Sequence, residues 1–193
     1  MIAVFAGRKF RLTSPFGDRV LNGKKEFHKG YDLVGVDSKV VIAAAGGTVI
    51  RSRMITDKSN RTWEFGNYVC IYGDDGRYYY YCHLASRAVS CGQRVQAGDK
   101  LGVMGATGYA FGAHLHFEIR DAEGTSICPE AIVGIPNAEG SYELPNELEA
   151  DIAYLVSVGV INTPEYWEGT APTVRYLPQL LHKIVSRMKG ERP

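Results

Sequence analysis

Four of the five histidines fall in three short contexts: His28-Lys-Gly-Tyr-Asp32, Tyr81-Cys82-His83-Leu84 and His114-Leu-His116-Phe-Glu118. In the third, a strand period of two sends Ala113, Leu115, Phe117 and Ile119 to one face and His114, His116, Glu118 and Arg120 to the other. Taken alone, a His-x-His on a half-exposed strand reads more readily as a surface pair than as a metal site. His28 and Asp32 change that balance. An imidazole and a carboxylate four residues apart, with Gly30 lending backbone freedom between them, can converge on one cation. Two histidines and one carboxylate leave a tetrahedral zinc ion with an open fourth position, which is a catalytic rather than a structural ligand set.

Water acidified by such an ion needs a group to take its proton and another to stabilise the charged intermediate. His83, on the strand face expected to carry Tyr79 and Tyr81, fits that need, as does whichever of His114 and His116 does not bind metal. Glu118 lies beyond the histidine pair, so a supporting role behind the ligands is expected for it. The chain has no His-Glu-x-x-His helix to supply a glutamate base, and the glycines at 102, 105, 108 and 112 lack the Gly-Lys-Ser/Thr ending of a phosphate loop. His182, beside Lys183, reads as a surface residue.

The elements that must position these groups are short strands. Up to about residue 134 the sequence is dense in Gly, Val, Ile and Tyr, with turn signals at short intervals, which predicts a mainly β, antiparallel domain. Candidate strands are Lys39–Ala43, Gly47–Arg51, Tyr68–Tyr72, Tyr78–His83, Lys100–Met104 and His114–Arg120. Gly46-Gly47, Asp74-Asp75-Gly76 and Ala97-Gly98-Asp99 supply turns between them. Residues 135–145, with two prolines and no periodicity, read as a linker. Residues 146–193 read as a small helical module. One helix has Asn146 as N-cap, an apolar face of Leu148, Ile152, Leu155 and Val156, and Gly159 at its end. After a turn at Thr163-Pro164, a second stripe contains Val174, Leu177, Leu181, Ile184, Val185 and Met188, with Pro178 bending it or delaying its start.

Composition narrows the class of partner. Lysine and arginine number 22 against 21 acids, a net charge of +1, so no strong field draws in nucleic acid or an anionic membrane. No stretch approaches the roughly 20 apolar residues of a membrane span. The N-terminal MIAVFAGRKF lacks the basic lead-in and cleavage site of a secretory signal. Synthesis in the cytoplasm without a signal peptide is therefore the expectation. Cys70, Cys82, Cys91 and Cys128 form no CxxC pair and are expected to be free, buried thiols.

In order along the chain, HKGYD, VIAAAGGTVI, GNYVCIY, YYYYCHLAS and VSCGQRVQAGDKLGVMGATGYAFGAHLHFEIR resemble the LytM and lysostaphin-like zinc metallopeptidases, which hydrolyse peptidoglycan. The resemblance covers about Leu12 to Arg120. It implies that His28, Asp32 and His116 hold Zn2+, and that His83 and His114 assist catalysis. All five positions are filled, whereas members of the family that have become non-catalytic activators or scaffolds typically lose ligands. The resemblance thus implies an endopeptidase cutting peptide bonds in peptidoglycan stems or cross-bridges, of phage or prophage lysin type, that reaches the cell wall after release. A non-catalytic binding, regulatory or scaffold module is the alternative. The C-terminal module weakly resembles helical appendages of other lysins, with wall binding, homodimerisation or packing as its expected roles.

Overall fold

The computed structural model describes residues 2–60, 62–145, 147–158, 160 and 177–189. Two compact units divide the chain, Met1–Leu144 and Pro145–Pro193. In the first, the strands are β1 (Lys9–Ser14), β2 (Gly17–Leu21), β3 (Lys24–His28), β4 (Tyr31–Gly35), β5 (Val40–Ile42), β6 (Gly47–Met54) and β7 (Asn67–Gly73). They continue as β8 (Tyr78–Cys82), β9 (Leu84–Arg87), β10 (Arg94–Val95), β11 (Lys100–Met104), β12 (Leu115–Arg120), β13 (Ser126–Ile127) and β14 (Gly140–Glu143), with one turn of helix, α1 (Glu130–Val133), before β14. Every pairing among them is antiparallel.

The large sheet has the order β10-β6-β7-β8-β12-β4-β1-β14, with β13 also paired to β12. A smaller sheet has the order β5-β11-β9, and β2 and β3 form a separate hairpin. Alternation in the central strands explains why the sheet holds together. Tyr31 and Leu33 of β4, Leu115, Phe117 and Ile119 of β12 and Tyr79 and Tyr81 of β8 point to one side and are buried. They join Val41, Leu84 and Leu101 from the smaller sheet in one core cluster. Burying each large side chain contributes about 1.5–3 kcal/mol. The same alternation turns Asp32 and His116 to the opposite face.

Residues 135–145 depart from the expected linker. Ile135 is fully buried, Tyr142 stacks on Phe10 with ring centroids 5.7 Å apart, and β14 pairs with β1 at the sheet edge. Pro136, Pro145 and Gly140 masked this strand, which is only four residues long and turns one side chain inward; such short edge strands carry little periodicity. The hairpin strands β2 and β3, whose residues are mostly exposed, escaped the sequence reading for the same reason.

In the second unit, α2 (Glu147–Ser157) and α3 (Leu177–Met188) lie within the two segments where apolar stripes were expected. Ile152, Leu155, Leu181 and Val185 are buried, whereas Val156, Ile184 and Met188 are exposed. Pro178 is the second residue of α3, in the first turn, where its missing N–H costs no helical bond, so it delays the start rather than bending the helix. Asn146, Gly159, Thr163, Pro164 and Val174 lie outside the described residues. His182 is half exposed, with Nδ1 3.1 Å from the buried Asp151 carboxylate. Among the described residues, no helix is long and apolar enough to cross a membrane.

Candidate metal centre

The site is assembled by register. Antiparallel pairing of β12 with β4 sets His116 opposite Asp32, so both side chains rise together from the face opposite the core. His28 ends β3, and the short connection through Lys29 and Gly30 carries it back over β4. His28 Nε2 lies 3.1 Å from Asp32 Oδ1 and 3.1 Å from His116 Nδ1. His116 Nδ1 lies 3.0 Å from Asp32 Oδ1. Donor atoms about 2.0–2.1 Å from a tetrahedral ion sit roughly 3.3 Å from one another. The three atoms thus form a triangle of nearly the size one face of a zinc tetrahedron demands, with two neutral nitrogens and one carboxylate oxygen as donors.

Gly30 serves that geometry differently from the sequence expectation. Its φ is not positive; the requirement is space. A Cβ there would strike the Phe117 carbonyl oxygen and come within 3.0 Å of Phe117 C and 3.1 Å of Glu118 Cα. Only glycine lets the His28–Asp32 segment press this closely onto β12.

The ring nitrogens are aimed by acceptors that can only accept. His28 Nδ1–H donates to the Pro15 carbonyl at 2.7 Å, His83 Nδ1–H to the Thr107 carbonyl at 2.8 Å and His114 Nδ1–H to the Gly112 carbonyl at 2.9 Å. Each neutral ring therefore keeps an Nε2 lone pair free. His114 Nε2 lies 3.5 Å from Asp32 Oδ1, which puts this imidazole at the margin of the donor triangle. Its ring centroid is 4.7 Å from that of His83, and His83 is 5.9 Å from His116. All five residues singled out in the sequence come together.

His83 arrives by an unexpected route. Continued alternation after Tyr79 and Tyr81 would turn it into the core. Instead β8 ends at Cys82, and His83 takes a left-handed backbone, φ 63°, that swings its ring to the His116 side. A non-glycine residue in that region stores strain, which surrounding contacts must hold. Here His83 N–H donates to the Phe65 carbonyl, and Thr107, whose Oγ donates to the Leu84 carbonyl, receives the ring.

Charge is arranged to favour a cation. Burial opposes ionisation of Asp32, but the His116 and His28 rings against Oδ1 hold its carboxyl far below the usual carboxylate range. Arg19 Nη1 also donates to Asp32 Oδ2 at 2.9 Å and to Ser14 Oγ at 2.9 Å. Burial lowers His116 as well, yet Asp32 and Glu118 on either side raise it to about 9, so near pH 7 its ring carries a proton that a bound cation displaces. Burial, then the neighbouring His116 and His114, depress His83 to about 3, so it is neutral near pH 7.

Sequence reading missed Arg19, Ser14, Pro15 and Thr107. Arg19 left no distinct signal, since the hairpin also carries Asp18, Lys24, Lys25 and Glu26. The loops beside His83 carry a T-shaped aromatic chain, Trp63 to Tyr109 at 5.9 Å and Tyr109 to Phe111 at 5.2 Å, with Phe111 exposed. Gly66 and Gly108, both with positive φ, let these loops touch where any side chain would collide with backbone. All four cysteines are free; Cys70 and Cys82 are buried as expected, whereas Cys91 is exposed and Cys128 half-buried.

Among curated relatives, the chain is 35% identical over 111 residues to the peptidoglycan DD-endopeptidase ShyC of Vibrio cholerae, a match covering 56% of this chain and 24% of that protein. It is 34% identical over 102 residues to the murein hydrolase activator NlpD of Escherichia coli, covering 53% and 25%. The matched region thus spans about a quarter of the length of these relatives. Among solved structures, the catalytic domain of the prophage-encoded M23 protein EnpA from Enterococcus faecalis aligns with TM-score 0.50 and 28% identity, covering 63% of this chain and 89% of that one. A zinc-containing peptidase from Vibrio cholerae aligns with TM-score 0.54 and 27% identity, covering 66% and 39%. The profile of Peptidase family M23 matches residues 26–129, which hold the five converging residues, and the chain belongs to that family.

Proposed function

We propose that this chain is a zinc-dependent endopeptidase that hydrolyses peptide bonds in bacterial peptidoglycan, in stem peptides or cross-bridges. His28, Asp32 and His116 hold the ion in this reading. The observation that carries it is the triangle of His28 Nε2, Asp32 Oδ1 and His116 Nδ1, with sides of 3.0–3.1 Å, flanked by two further imidazoles. A divalent cation bound there supplies the positive charge that polarises a scissile carbonyl and acidifies water. His83, neutral and with Nε2 free, accepts a proton and returns it to the leaving amine. His114 Nε2, beside the triangle with its lone pair free, accepts a hydrogen bond from the attacking water, and donates to the oxygen that becomes negative only after it has taken up a proton. Trp63, Tyr109 and Phe111 wall the approach for an extended peptide.

The likeness to ShyC, a peptidoglycan DD-endopeptidase, supports the substrate, and the likeness to a zinc-containing peptidase supports the metal. The likeness to a prophage-encoded M23 protein supports a phage or prophage endolysin. A second reading is favoured by the likeness to NlpD, a murein hydrolase activator: the chain then occupies the wall and stimulates another hydrolase without turnover. Purified wild type and His116→Ala, assayed for bound zinc and for fragments released from purified peptidoglycan, separate the two. The hydrolase reading expects one zinc per chain and release by wild type alone. Equal release by both proteins removes zinc catalysis. We also assign wall binding or homodimerisation to residues 146–193; loss of wall adsorption or of dimer on their deletion is the expected result, and no change in either contradicts it.

A further inference from the structure

Of the four imidazoles at the centre, His28, His83 and His114 each have one nitrogen fixed by a backbone carbonyl. His116 has no such bond among the described residues. It also faces the opposite way: Nδ1 belongs to the triangle, so the proton must sit on Nε2. The group that Nε2 faces is Glu118 Oε2, 3.6 Å away. Glu118 is 1% exposed, and Oε2 has no hydrogen-bond partner among the described residues. A buried carboxylate oxygen without a donor is costly, and 3.6 Å is too long for a hydrogen bond, so a small rotation of the ring meets a real demand.

The rest of the carboxylate is tightly held. Glu118 Oε1 receives Arg120 Nε at 2.7 Å and Ser126 Oγ at 2.6 Å, and the Arg120 guanidinium lies over the Tyr80 ring, 4.5 Å from its centroid. These donors leave one oxygen over, and it points at His116. We propose that Glu118 is a positioning residue that fixes the protonated nitrogen of His116, so that its Nδ1 lone pair faces the cation, and that Ser126 and Arg120 hold Glu118 in register for this task. This rests on the zinc reading above. A carboxylate that accepts from the far nitrogen of a ligating histidine raises its basicity and fixes its orientation, and losing one typically costs about 10–100-fold in metal affinity.

The test compares full-length wild type with Glu118→Gln, which keeps shape and removes charge. Zinc affinity is read by competition with a chelator, and the protonated nitrogen of His116 by nitrogen NMR of the zinc-loaded protein. The expected result is zinc binding weakened about 10–100-fold in a folded variant, with loss of a single His116 tautomer. Unchanged affinity with the same tautomer overturns the inference while leaving the zinc reading intact; a wild type that binds no zinc removes both. Should Glu118→Gln fail to fold, Ser126→Ala carries the test, because the carboxylate stays but loses one of its anchors. A several-fold weaker affinity supports the proposal, and an unchanged one overturns it.

Discussion

Replacing Gly30 by alanine is the smallest change that should break the metal centre without touching a ligand. The added Cβ would collide with the Phe117 carbonyl oxygen and sit 3.0 Å from Phe117 C, where ordinary contact begins at 3.4 Å. Its neighbours are backbone of the central strand β12, so the shift must come from the His28–Asp32 segment, by roughly 0.5–1 Å to restore carbon–oxygen contact. The triangle of donors has sides of 3.0–3.1 Å, and metal–ligand distances tolerate only about 0.2 Å. Overpacking of this kind costs about 1–3 kcal/mol of stability, and we expect zinc affinity to fall by at least about tenfold. Chelator competition on folded Gly30→Ala, with thermal melting alongside, reads both numbers. Gly112→Ala is the control, because nothing lies within 4 Å of its added Cβ. Wild-type zinc affinity in Gly30→Ala would refute the steric reasoning.

Three further outcomes follow from the same geometry. His83→Ala should retain zinc while hydrolysis falls about 10²–10⁴-fold, the usual range for a lost proton-transfer group; loss of zinc instead would make His83 a ligand. His83→Gly, which relieves the left-handed φ of 63°, should melt no lower than His83→Ala despite glycine's greater chain entropy; a clearly lower melting point would show that the strain is absent. For protein stripped of metal, stability should have two pH limbs. Glu118 falls from 4.5 to about 2 on folding because the neighbouring His116 ring and the bonds from Arg120 and Ser126 outweigh burial, so its contribution is present above pH 4.5 and lost as pH falls toward 2. His116 rises from 6.5 to about 9, so its contribution is present below pH 6.5 and lost as pH rises toward 9. His83 falls from 6.5 to about 3, so stability is also lost as pH drops below 6.5. Thermal melts should peak near pH 6.5 and fall away on both sides, and Glu118→Gln should make both limbs shallower, whereas a flat wild-type profile contradicts this pairing.

The alternation of His114-Leu-His116-Phe-Glu118 was legible because β12 is central: its apolar side chains must face the core, which leaves the histidines one side to occupy. Likewise the candidate strands, realised as β5, β6, β7, β8, β11 and β12, begin and end within a few residues of their expected positions, whereas β9 and β10 between them went unread. What the sequence concealed depends on tertiary contact. The demand on Gly30 is set by a strand almost 90 residues away, and Arg19 meets Asp32 only because the β2–β3 hairpin folds over β4. His83 breaks the alternation that its tyrosine neighbours obey, since its backbone is held by Phe65 and Thr107 from other loops. The strand β14 needed Phe10 as a partner before its single inward tyrosine had meaning.

Hydrolysis of a peptide bond in the cell wall is tested most directly by digesting purified peptidoglycan with the zinc-loaded protein in water enriched in heavy oxygen and sequencing the released fragments by mass spectrometry. We expect new amino and carboxyl termini within stem or cross-bridge peptides, each new carboxylate carrying one heavy oxygen, and none with His116→Ala. Peptides left intact by a zinc-loaded wild type, or fragments cut only in the glycan, would contradict it.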